Sequence, residues 1–186
     1  ELLPIANAAT RVAALLSGEI DIVTDAPVQD LGRIGSSAGH NVESTPQMRT
    51  IFLGMDQGAD ELRSGNTGDN PFKKKEVRQA LYQAIDIGAI KKKVMRGLSE
   101  PAGIITFPGV TGYTKALDKR LPYDPEAAKK LLADAGYPDG FDVELRCPND
   151  RYVNDEAICT AVVGMFAKIG VNVSLNSQTK SKHFKE

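Results

Sequence analysis

Between Phe141 and Leu175 the apolar pattern changes period twice, and no other feature of the sequence restricts the fold as strongly. Phe141, Val143 and Leu145 alternate with Asp142, Glu144 and Arg146, the period-two pattern of a strand with one wet face. Ile158, Ala161, Val162, Met165, Phe166 and Ile169 then recur at helical spacing before Gly170, after which Val171, Val173 and Leu175 resume the alternation. Strand, helix and strand at this spacing make a crossover unit, so the two strands are expected to lie parallel in one sheet. The chain is therefore read as α/β.

Upstream, Asn7 can cap a helix over 8–17, with Val12, Leu15 and Leu16 on one face and Gly18 as its left-handed stop. A strand over 20–23, a helical stretch from Pro27 to about Ser37 and an extended segment from Val42 to Thr45-Pro46 complete the first third. Ile51 to Met55 is a short apolar run suited to a strand buried on both faces. The polar stretch 56–70 is longer than an ordinary connection, and is read as either mobile or functional. Val77, Ala80, Leu81, Ala84 and Ile85 form a helical stripe over 76–85, Asp86 recaps, and Ile87, Ile90 and Val94 continue on a helix carrying Lys91, Lys92 and Lys93. The segment from Pro101 to Tyr113 reads as irregular, and Asp124-Pro125-Glu126 opens a helix that Gly136-Tyr137-Pro138 ends.

Charge and composition narrow the partners. Lys plus Arg number 23 against 24 Asp plus Glu, so no basic field exists to gather nucleic acid. No apolar run reaches the roughly 18 to 20 residues of a membrane-spanning helix. The start at Glu1 and the polar end from Ser181 to Glu186 read as cuts in a longer chain. Only two histidines, His40 and His183, are present, and nucleophile elbows, zinc-protease helices, phosphate loops and dinucleotide fingerprints are missing, so neither an enzyme, a metal site nor a cofactor is expected. Cys147 and Cys159 lack the paired short spacings of a zinc framework. They are either a disulfide or two small buried residues.

Four blocks, in order, resemble one family. They are Arg11 through the "Leu-x-Gly-Glu-Ile-Asp" run to Val23, then Asn70-Pro71-Phe72 with Val77-Arg78-Gln79-Ala80-Leu81 and on to Asp86, then Tyr123-Asp124-Pro125-Glu126 to Tyr137, and Lys168 to Val173. Together they are similar to the peptide and nickel type, family 5, of periplasmic solute-binding proteins that serve ABC transporters. The resemblance implies a periplasmic binding protein type II-like lobe, a mixed sheet flanked by helices, with a partial piece of the other lobe. On that reading residues 1–46 belong to lobe one, 47–186 to most of lobe two, and Thr45 to Thr50 is the hinge. It also implies a small solute, an oligopeptide or dipeptide, held between lobes for a membrane permease, in a periplasmic setting or, in a Gram-positive parent, an extracytoplasmic membrane-associated one.

The loop from Cys147 to Asp155 joins a strand's carboxyl end to a helix N-terminus, where α/β sheets place ligands and where backbone N–H groups attract anions. Arg151 is the leading ligand residue, since its planar fork matches a carboxylate; pairing with Asp150 or Asp155 is the other reading. The resemblance implies a basic residue in this loop for a ligand carboxylate. Tyr152 and Asn154 are candidates beside it, as are Met55, Asp56 and Gln57 after the apolar run.

Overall fold

The computed structural model describes residues 1–185; Glu186, at the polar end, lies outside the described residues. Helix α1 (Ala8–Ser17) begins where the Asn7 side chain accepts the N–H of Thr10 and ends at Gly18 in the left-handed region. Helix α2 (Leu31–Ser36) starts four residues later than Pro27, because Pro27 to Asp30 closes a separate turn through the Asp30 N–H. Val12, Ala14, Val28 and Ile34 are buried here, apart from the main apolar cluster.

The main cluster begins beyond residue 50. A short 3-10 turn (Pro71–Lys73) leads into α3 (Lys75–Ala84), whose Val77, Ala80, Leu81 and Ala84 are all buried. Asp86 caps α4 (Ile87–Ala89) by accepting the Ala89 N–H, and the helix then widens into a π-turn, Ile90–Val94. Helix α5 (Pro125–Asp134) starts at the Asp124 cap and packs Ala128 and Leu132 against α3. These two helices and the sheet share one core, so the stripes read from the sequence meet as expected.

Strands β1 (Phe141–Pro148) and β2 (Val171–Gln178) pair in parallel across helix α6 (Asp155–Ala167), with Phe141 opposite Val171 and Pro148 opposite Gln178. The crossover is therefore as the changing period predicts. Val162, Phe166 and Ile169 from the helical segment and Phe141 and Val171 from the strands close the core. Tyr137 stacks edge-on against Phe141 and donates its hydroxyl to Asp69 at 2.7 Å. A final short helix, α7 (Lys180–His183), follows.

Three expected strands do not form. Residues 20–23, the stretch from Val42, and Ile51 to Met55 stand outside any ladder, and among the described residues the sheet has two strands plus one isolated antiparallel bridge, Gly65 to Val143. None of these runs is paired with an edge of that sheet, and with Ile22 80% exposed and Phe52 62% their apolar character is not covered by a ladder. Leu53 and Met55 still lean on the core. The polar stretch after them is not loose. Asp56 accepts the Gly58 and Ala59 N–H groups, and the buried amide of Asn70 donates to the Asp56 and Ala59 carbonyls at 2.9 Å each.

Candidate functional site

The carboxyl end of β1 and the head of α6 are joined by a short loop held from several sides. Cys147 and Cys159 are disulfide-bonded, with Cα atoms 6.6 Å apart, which settles the two readings of the cysteines and ties the strand end to the second turn of the helix. Both are buried. At the helix start the carboxylate of Asp155, itself only 6% exposed, accepts the N–H groups of Arg151 at 2.9 Å, Tyr152 at 3.0 Å and Glu156 at 3.0 Å. Three charge-assisted bonds to one buried carboxylate fold the loop back on itself.

This corrects one expectation. The N–H groups of Arg151 and Tyr152 in the loop and of Glu156 in α6 do not await an external anion, since the chain supplies its own in Asp155. Asp150 is also engaged, accepting the Lys180 N–H. Both acids that could have neutralised Arg151 thus serve the backbone, and the Arg151 guanidinium lies instead over the Tyr152 ring, 4.9 Å from its centroid. Arg151 is exposed and Tyr152 half-buried.

Asn154 takes the left-handed conformation at φ 55° and donates its amide to the Val94 carbonyl at 2.9 Å, at the end of the π-turn. Its side chain therefore docks the loop onto the neighbouring helical segment and faces the protein. Met55 is half-buried against the core, Asp56 is exposed and closes its own turn, and Gln57 is exposed. The bonds from Gly58 and Ala59 hold the Asp56 carboxyl below its ordinary range. Among the described residues no hydrogen bond or ion pair links these three to the loop at Arg151, so only Arg151 and Tyr152 are brought together.

Two contributors were not legible beforehand. Arg49 reaches the Tyr152 ring from the segment after Pro46, with its guanidinium carbon 5.7 Å from the centroid. A single arginine in an irregular segment carries no periodic or spacing signal. Asp155 did carry one, an acid at the first position of a helix, but its buried role depends on the loop's path. The same segment makes two further contacts: Gln47 donates to Asp25, and the Thr50 hydroxyl donates to the Ile105 carbonyl at 2.7 Å.

Residues 1–186 match the family described as bacterial extracellular solute-binding proteins, family 5 Middle. The chain is 30% identical over 174 residues to heme-binding protein A of Haemophilus influenzae, covering 90% of this chain and 29% of that one. It superposes on the dipeptide binding protein of Pseudoalteromonas sp. SM9913, solved with Met-Leu, with a TM-score of 0.74 and 29% identity over 96% of this chain and 34% of that one. The oligopeptide-binding protein AppA of Bacillus subtilis, solved with a nonapeptide, gives a TM-score of 0.80 at 23% identity, over 97% of this chain and 36% of that one, and shows the shared fold alone. The chain thus spans 29% to 36% of the length of these relatives. Its fold is that of the type II periplasmic binding proteins, and the family is extracellular or periplasmic. Over its whole length, this chain belongs to the bacterial extracellular solute-binding proteins of family 5.

Proposed function

We propose that the protein containing this chain is the solute-binding component of an ABC importer, capturing a small solute, an oligopeptide or dipeptide, between two lobes and delivering it to a membrane permease. Residues 1–46 contribute to the first lobe and 47–186 form most of the second, with Thr45 to Thr50 as the hinge. The separate burial of Val12, Ala14, Val28 and Ile34 supports that division. The setting is periplasmic, or the outer face of the membrane in a Gram-positive parent.

The observation that carries the reading is the exposed Arg151 at the carboxyl end of β1, with both neighbouring acids engaged by backbone N–H groups. A guanidinium so placed suits a ligand carboxylate. Binding is reversible and involves no covalent step: contacts on both sides of the cleft shift the population toward a closed form. The names of the relatives, which bind heme, a dipeptide and a nonapeptide, are consistent with recognition of small solutes rather than transformation of them.

A thermal-shift screen of the full-length protein against short peptides tests the proposal. A tenfold excess of ligand over its Kd should raise stability by about 1.4 kcal/mol, and Arg151→Ala should abolish that gain. Stabilisation retained in full by Arg151→Ala would remove the carboxylate role. Ligand-dependent capture of a receptor, with no capture of a permease, would instead point to a sensor built on the same fold.

A further inference from the structure

The Tyr152 ring is approached by two cations from segments far apart in the sequence. Arg151 comes from its own loop and Arg49 from the segment that joins the two parts of the chain. Both guanidiniums are exposed, and among the described residues neither forms an ion pair with a carboxylate. The acids nearest Arg151 in sequence are accounted for: Asp150 holds the Lys180 N–H, and Asp155 is buried beneath the loop with three backbone partners.

The ring face compensates each cation only weakly where water has access, so each guanidinium remains open to an anion. A ligand carrying two negative groups would satisfy both. We propose that Arg49 and Arg151, gathered at Tyr152, form a paired-cation site that selects solutes bearing two carboxylates. The proposal rests on the solute-receptor reading and deepens it by naming the class of solute. Arg151 takes one carboxylate through its planar fork, Arg49 takes the second, and Tyr152 holds the two arginines in place between ligands. Because Arg49 lies in the connecting segment, the second carboxylate also reaches across the junction between the two parts of the chain.

Isosteric pairs isolate the second charge. Ala-Glu and Ala-Gln differ by one carboxylate at nearly constant shape, as do glutarate and its monoamide. Calorimetry on the full-length protein should show the doubly acidic member of at least one pair binding tenfold or more tightly, the effect of one charge-assisted contact. Arg49→Gln should reduce that ratio to near one. Arg151→Gln should weaken both members. An unchanged ratio in Arg49→Gln overturns the paired site, and so does preference for the singly acidic member. If singly acidic or neutral peptides bind and the ratio does not respond to Arg49, the receptor reading stands and this inference alone falls. If the full-length protein binds none of these probes and no short peptide, both fall together.

Discussion

A Cβ placed on Gly140 would collide with the carbonyl oxygen of Gly170, so the turn entering β1 and the turn entering β2 meet backbone to backbone with no room for a side chain. Gly140 also sits at φ +74°, where other residues are strained. The contact sets the starting register of the parallel pair, Phe141 opposite Val171. Gly140→Ala should therefore cost about 3 kcal/mol or more, combining backbone strain with a clash that only chain movement can relieve. Urea unfolding of the full-length protein measures it, and an unchanged midpoint would mean that the turns part without penalty.

The Cys147–Cys159 bond closes a loop with a sequence separation of 12 residues. A closure of that size stabilises by about 3 kcal/mol through the unfolded chain. Replacing both cysteines with serine should lower stability by that order, and adding a reductant to the native protein should reproduce the loss once the buried bond is reached. Equal stability of the oxidised and double-serine forms would contradict it.

Asp155 supplies the carboxylate on which the loop turns. Asp155→Ala leaves three N–H groups without that acceptor and should cost about 2 to 3 kcal/mol, while Asp155→Asn, which keeps the shape but not the charge, should cost less. Hydrogen exchange reads the local effect. The amides of Arg151, Tyr152 and Glu156 should lose protection well beyond the global change, and uniform loss across the chain would show that the loop does not depend on this side chain.

Tyr137 links stability to alkaline pH. Burial, followed by the hydrogen bond to Asp69 and its negative charge, pushes the phenol up from 10.0 to about 12. The folded protein then holds this proton longer than the unfolded chain does, so the phenol's contribution is whole below pH 10 and disappears as pH rises through about 12. Stability measured across that window should fall in the native protein and fall less in Tyr137→Phe. Parallel slopes for the two would dissociate the phenol from the effect.

Helices α3 and α5 and the β1–α6–β2 unit were legible because their signals lie within their own residues: a stripe at helical spacing in α3 and α6, and in α5 a capping acid, a stripe and a glycine past the stop. Asn7, Asp86 and Asp124 all cap as their positions suggest. Ile51 to Met55 misled for the opposite reason. An apolar run becomes a strand only beside another edge, and nothing in the run itself says whether that edge is at hand. The site divides the same way. Arg151 was readable from its place after a strand and before a helix, whereas Arg49 and the burial of Asp155 arise from chain paths that bring distant residues together.

The loop bearing Arg151 and Tyr152 is fastened beneath by Asp155, at its ends by the disulfide, and at its side by Asn154 on the Val94 carbonyl. Such a loop is preorganised: its conformational freedom is surrendered when the chain folds, not when a solute arrives. On the proposed receptor reading, differences in affinity between solutes should therefore report the chemistry of the solute itself, because each would meet the same preorganised loop.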